Sequence, residues 1–487
     1  MRPKFGSNGG AVTRRIASQG ALLFAGFATS QICSFLRNAI IAHTLAKGDF
    51  GIAATLTMVL MLVESVTDVG ADRLIVQAPD GDTPAFVATA HSVLIGRGLL
   101  TSLVLFSLAG PFCRFLDIED AQRSFELIAL VPFIKGFFHL GTRVAQRHLD
   151  NWPQMLTEVA PQLAALALTI PALHLFPSYA VVAALSLSQA FALLIVSHAV
   201  SKEPYRVAVD QPILMQLLVF GWPIWLSAFP LSAVYQGDRL LIGKFYGMEA
   251  LAGYSVAFMI TMVPALIAAK VGNALMLPLL SERTGNARAL AYRFESLSSV
   301  TALAAALYFV VFGIAGGTIL PLAFGPQYAG LGTLTAWLAL MWTVRMLQVV
   351  PGMAVMAHGK TQPFLVAGLI RACALAPGLI LAIGQYELQT LAMAGAAGEL
   401  ASFAYITWYA GKCSPSLTSI SASTNAWLIG VAAAIAVTSW ILVAPSASDH
   451  IAVAALLSAC VTGYAVTSQA TLRDGLFALL PSRNAAA

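Results

Sequence analysis

Long apolar runs separated by short polar stretches make up most of the chain. A helix needs about 20 residues to cross a hydrocarbon core of about 30 Å. Fourteen runs of that kind are predicted, with approximate cores at 20–44, 50–75, 86–112, 124–144, 155–176, 179–200, 213–236, 250–279, 296–320, 328–357, 361–384, 388–410, 424–444 and 450–469. A spanning barrel would show strands of about ten residues alternating apolar and polar. These runs are longer and apolar on every face, which predicts helices. The longest connections lie at 76–85, 113–123, 143–154, 201–212 and 281–295; none could hold a soluble catalytic domain.

The pattern repeats. At an offset of 202, without gaps, Arg37 falls on Arg239, Ile40 on Ile242, Gly51 on Gly253, Val69 on Val271 and Gly70 on Gly272. The arginines and glycines carry the repeat, because aliphatic matches between apolar sequences arise by chance. The expected organisation is a basic cytoplasmic N-terminus over 1–19, an N-lobe of six spans over 20–200 and a cytoplasmic linker over 201–212. A C-lobe of six spans over 213–411, a final pair over 423–470 and a cytoplasmic tail over 471–487 follow. Six spans is an even number, so both copies start on the same side. That makes a parallel repeat, with its pseudo-twofold axis along the membrane normal and a site between the halves. The expected fold class is an all-α polytopic membrane protein: two pseudo-symmetric six-helix lobes plus two C-terminal helices.

Composition agrees. Of 487 residues, 58% are hydrophobic and 10% charged, and mean hydropathy is +0.79; a soluble domain carries about 25% charged residues. A net charge of +5 is read as the positive-inside bias rather than as nucleic-acid binding. With both termini cytoplasmic, 16 of the 27 Lys and Arg fall in cytoplasmic loops and tails. Five (Lys47, Arg114, Arg123, Arg239 and Lys244) fall on or near the other side, and six lie within spans. The five cysteines and eight histidines show no metal-ligand spacing, so no metal site is expected. There is no GxxxxGK[ST] phosphate loop, so the chain by itself is not an ATP-driven machine.

Charge within a bilayer is costly and usually serves a function. Seven cations lie in or near spans (Arg37, Arg97, Lys135, Arg239, Lys270, Arg345 and Arg371), against six acids (Glu64, Asp68, Glu126, Glu158, Asp238 and Glu399). Interhelical ion pairing is the plainer reading. The sharper one is that cations from different helices line one aqueous cavity and attract an anion. Arginine suits a diphosphate, because its planar fork donates bidentate hydrogen bonds. Arg37, Arg239, Arg97, Lys270, Arg345 and Arg371 are therefore the candidate substrate-binding residues, with Arg37 and Arg239 as repeat-related partners across the cavity. Glu64 and Asp68, four apart, are expected on one helical face, where two close carboxylates would not both ionise cheaply. With Asp238 and Glu399 they are the candidates for gating or for coupling to H⁺ or Na⁺. Lys270 falls on Asp68 at the same offset. No cofactor is expected beyond such an ion.

From Phe220 the sequence runs FGWPIWLSAFPLSAVYQGDRLLIGKFYGMEALAGYSVAF. The order FG-x-P, D-R-x-x-I-G-x-x-x-G, A-G-Y-x-x-A and a closing P-x-L-S, with DFGIAA, DVGADRLIVQ and TAHSVLIGRGLL in the first half, resembles the polysaccharide-transporter branch of the MOP flippases. These are Wzx-type and succinoglycan-exporter-type proteins. The resemblance implies two six-helix lobes around a central cavity, in a bacterial inner membrane. It implies alternating-access translocation of an undecaprenyl-diphosphate-linked oligosaccharide for exopolysaccharide, capsule or O-antigen synthesis. Membrane lipids, a polysaccharide polymerase and a co-polymerase are the implied partners, nucleic acid is not, and the chain is not an enzyme. A lipid II flippase of the MurJ type shares the architecture and ranks second, because Gly221–Tyr254 looks more like the polysaccharide branch. A MATE-type drug exporter would favour a more acidic cavity. A membrane-embedded glycan ligase or polymerase is the competing class.

Overall fold

The structure, a computed structural model, describes residues 9–281, 286–413 and 417. In chain order its α-helices are α1 (Gly9–Thr44), α2 (Lys47–Val66), α3 (Ala71–Gln77), α4 (Pro84–Phe115), α5 (Gln122–Ile128) and α6 (Leu130–Gly136). Then come α7 (Gly141–Arg147), α8 (Trp152–Leu175), α9 (Ala180–Val200), α10 (Gln211–Ser281), α11 (Ala287–Ile314) and α12 (Gly316–Phe324). The last are α13 (Gly332–Leu347), α14 (Val349–Ala357), α15 (Gln362–Cys373), α16 (Leu375–Ile383) and α17 (Leu388–Cys413). Among the described residues, nine helical segments are long and apolar enough to cross a membrane, or ten if the bent α5–α7 stretch is one span. The all-α polytopic class therefore holds. The full count of fourteen is not tested, because runs thirteen and fourteen lie outside the described residues; runs seven and eight are the two arms of α10, which join at a kink at Gly247. Run twelve is α17, which carries Glu399 and Lys412 and is not among the nine.

The chain divides into two units. The first comprises Met1–Ser232 with Gly247–Ala252, and the second Ala233–Tyr246 with Gly253–Ala487. In the first, α8 packs along α1 and α9, and α4 along α6. In the second, α13 packs on α11 and α17, and α15 on α17. Local chemistry sets several helix starts. The Thr83 hydroxyl accepts the Phe86 N–H ahead of Pro84, and the Asn286 side chain accepts the Ala289 N–H. Both caps satisfy backbone donors left over at a helix start. Large apolar side chains such as Leu100, Phe106, Ile195, Leu322 and Ile380 are exposed, as expected of surfaces that face lipid rather than water.

Two glycines mark breaks, one inside a single apolar run and one between two runs. The second apolar run is not one helix: α2 stops at Val66, and Gly70 takes the left-handed conformation (φ 63°) before α3 begins. Other residues pay about 1–2 kcal/mol for that conformation. A Cβ at Gly70 would also lie 2.5 Å from the Ile224 side chain. Gly70→Ala is expected to lower stability by about 1–3 kcal/mol, read as a fall in thermal midpoint in detergent; an unchanged midpoint would mean the break is not needed. The second case is α10. Its 71 residues would extend about 105 Å as a straight rod, but Gly247 (φ 82°, ψ 177°) interrupts it.

Candidate functional site

Charged side chains gather at one centre in each unit. In the first unit, α1, α2, α6, α8 and α9 enclose a cavity of about 140 Å³ whose polar lining includes Arg37, Asn38, Glu64, Lys135, Gln162 and Gln189. The half-buried Arg37 guanidinium donates to Gln189 Oε1 at 2.7 Å and more weakly to Gln162 Oε1 at 3.4 Å. No described carboxylate makes an ion pair with it. Two neutral amides thus orient the cation without neutralising it. Lys135 Nζ lies 2.8 and 3.1 Å from the two Glu64 oxygens.

The Glu64–Lys135 pair also lines an open cleft of about 500 Å³ that continues past Asp68, Asp72, Arg97 and Arg143 to Glu158. Arg97 donates to the Glu64 carbonyl at 2.9 Å and pairs with Asp68 at 3.6 Å. Arg143 pairs with Asp72 at 3.5 Å. Glu64 and Asp68 do not share a helical face, which corrects the spacing argument. Asp68 lies beyond the end of α2, where its carboxylate accepts the Gly70 N–H at 3.0 Å and pairs with Arg73 at 3.1 Å. The break that Gly70 makes turns this acid from a helix-face group into a cap of the junction.

In the second unit Glu399, on α17, is 3% exposed. It lies 2.6 Å from Arg345 of α13 and 3.0 Å from Arg371 of α15. Arg371 also donates to Gln348 Oε1 at 2.6 Å, and Gln348 donates to Ser402 Oγ at 3.0 Å. The Arg345 guanidinium stacks over Trp342 and Tyr235, 4.8 Å from each ring centre. A small cavity of about 50 Å³ is lined by Asp238, Arg371 and Glu399. Asp238 accepts the Arg239 backbone N–H at 2.8 Å and the Tyr254 hydroxyl.

Of the ten candidates, the first unit thus brings Arg37, Glu64, Asp68 and Arg97 to two adjoining cavities. The second brings Asp238, Arg345, Arg371 and Glu399 together. Arg239 packs its guanidinium over Phe258 at 4.4 Å and donates to Gln236 at 3.4 Å. Lys270 is exposed on the later arm of α10. Lys135 is an intramembrane cation outside the candidate set, yet it joins both cavities of the first unit. Its signal in the sequence is a lysine inside an apolar run. Nothing in the sequence marks Gln162, Gln189 and Gln348, because an uncharged amide in a span carries no distinctive cost. Among the described residues, no group of three or more His, Cys, Asp or Glu could hold a metal ion.

Comparisons with known proteins bear on this arrangement. The sequence profile of the family described as "Polysaccharide biosynthesis protein" matches residues 40–332, more than half of the chain. Over 126 residues the chain is 29% identical to the amylovoran biosynthesis protein AmsL of Erwinia amylovora. That match takes in 26% of this chain, and the chain spans about a third of that relative's length (32%). Among solved structures, the lipid II flippase MurJ in an inward closed conformation is similar at TM-score 0.68 and 11% identity, over 91% of this chain and 99% of MurJ. An inward-facing MATE multidrug transporter is similar at 0.61 and 16%, over 79% and 95%. A MOP-superfamily transporter from Pyrococcus furiosus, whose pocket is described as of reversed polarity, is similar at 0.57 and 16%, over 84% and 96%. The fold is therefore that of the MOP superfamily of transporters. The MurJ match exceeds both others in TM-score and coverage, although the sequence motifs rank that type second.

Proposed function

The chain belongs to the polysaccharide biosynthesis protein family, and on that premise we propose that it is a flippase moving a lipid-diphosphate-linked saccharide across the membrane by alternating access. A transporter fold supports this over an enzyme. One observation carries the cargo class: Arg37 faces a polar cavity, held by two amides and paired with no described carboxylate. A guanidinium so placed can donate a bidentate pair to two oxygens of a phosphate group without first breaking an ion pair. In the second unit, Arg345 and Arg371 are committed to Glu399 and serve the phosphate only if that triad opens.

Two cargoes fit this chemistry. The family match and AmsL favour an oligosaccharide repeat unit for polysaccharide synthesis. The MurJ-like fold over 91% of the chain favours lipid II, and the fold comparison backs that second cargo better. Expression in bacterial cells depleted of their own lipid II flippase separates them: growth rescue assigns lipid II. No rescue, with restored surface polysaccharide in cells lacking an oligosaccharide flippase, assigns the repeat unit; rescue of neither would overturn the flippase reading.

The Glu64–Lys135 pair is the best-placed candidate for ion coupling, because it touches both cavities. Glu64→Gln is expected to flatten the dependence of transport on pH or sodium while leaving the protein inserted. An unaltered dependence would remove Glu64 from any coupling role.

A further inference from the structure

Three histidines scattered in sequence meet around one tyrosine of the connector between α9 and α10. The ring centres of His91 and His139 are 5.1 Å apart, and those of His139 and His198 are 5.2 Å apart. The Tyr205 ring lies 4.3 Å from His91, 5.4 Å from His139 and 5.0 Å from His198. His91 and His139 are 0% and 2% exposed, while most of the connector is exposed.

Hydrogen bonding fixes the proton on each buried ring. His91 Nε2 accepts the Leu140 N–H at 3.0 Å, so its proton is on Nδ1, which donates to the Arg206 carbonyl at 2.9 Å. His139 Nδ1 accepts the Gly141 N–H at 3.0 Å, so its proton is on Nε2, which donates to the Glu203 carbonyl at 2.9 Å. The two rings are of opposite tautomers but act alike, since each takes an N–H from the start of α7 and gives one to the connector. Beside them the Ser92 hydroxyl donates to the Ala208 carbonyl at 2.6 Å. The Ala208 N–H donates to the Ala88 carbonyl at 3.4 Å, and the Asp210 N–H to the Thr89 hydroxyl at 3.2 Å.

We propose that His91 and His139 form a clasp that holds the connector 201–210 against α4 only while both rings are neutral, so that acidification of the compartment bathing it releases the connector. A second proton on either ring consumes the lone pair that accepts a backbone N–H and turns that contact into donor against donor. The charged and titratable groups facing the pair are each other, His198 from α9, and Glu203, Tyr205 and Arg206 from the connector. Burial pushes the Tyr205 phenol above its ordinary value, so it stays neutral throughout. The nearby ions Arg143 and Lys202 are paired with Asp72 and Asp150. A released imidazole has the ordinary pKa of about 6.5. The clasp is therefore complete above about pH 6.5 and weakens below it, by up to about tenfold per pH unit for each histidine.

The inference stands apart from the transport reading, because it is tested without cargo. Hydrogen exchange of the full chain in detergent, corrected for intrinsic rates, is followed at the Ala208 and Asp210 amides. Protection in the wild type should fall about tenfold or more between about pH 7.5 and 5.5. His91→Asn with His139→Gln keeps a donor to each connector carbonyl but cannot take up a proton, and should exchange alike at both values. Constant protection in the wild type, which needs no variant to observe, would overturn the clasp. So would a full pH response that survives in the double variant.

Discussion

Glu399→Ala is expected to remove about 3–5 kcal/mol of folding stability, the usual cost of taking one partner from a buried ion pair. Glu399 is the one described carboxylate that both Arg345 and Arg371 contact, at 2.6 and 3.0 Å. Its removal leaves two guanidinium groups, on two helices, in a volume from which water is largely excluded. Arg371 retains its 2.6 Å bond to Gln348, and Arg345 retains its stacking on Trp342 and Tyr235. These partners hold the groups in place but carry no charge to balance them. Adding Arg345→Met to the alanine variant is expected to recover part of the loss, since an apolar side chain of similar length does not need the missing carboxylate. Chemical unfolding in detergent measures both. A loss under about 1 kcal/mol for Glu399→Ala is the value for a solvated surface pair and would show that water reaches the triad.

Arg37→Ala should act in the opposite way, with little effect on folding and a large one on transport. Its partners are the amides of Gln162 and Gln189, which line a polar cavity and can turn to water when the guanidinium is gone. A hydrogen bond from a charged donor contributes about 1.5–3 kcal/mol, so cargo affinity should fall about 10- to 150-fold. Arg37→Lys keeps the charge but loses the planar fork and should recover only part. Full transport in Arg37→Ala, at wild-type protein levels, would remove Arg37 from the cargo site.

The contrast between these residues shows what the sequence could reveal. Twelve of the apolar runs coincide with described helices, because burying backbone in lipid demands helices and hydropathy registers that demand directly. One break was not legible. At Gly70 the deciding quantity is a backbone angle, which an apolar run conceals, whereas the break at Gly247 falls between runs seven and eight. The charges divide in the same way. Sequence marks Arg37, Glu64, Arg345, Arg371 and Glu399 as costly, but not which groups each of them meets. Arg345, Arg371 and Glu399 lie on three helices and meet only through the packing of α13 and α15 on α17. Asp68 is misplaced by the spacing argument for a local reason: the four-residue distance to Glu64 has meaning only if the helix continues, and it ends at Val66. The histidines of the clasp carry no signal in the sequence, because their spacing fits no metal motif. Their role depends on a connector that folds back onto α4.

The most direct test is translocation itself. Purified chain in liposomes is given a fluorescent undecaprenyl-diphosphate-linked glycan on one leaflet, and its arrival on the other is followed together with its mass. Arrival at unchanged mass, fast with the wild type and slowed at least about tenfold by Arg37→Ala, is the expected result. Glycan that stays on its original leaflet, or that emerges with altered mass, would contradict it.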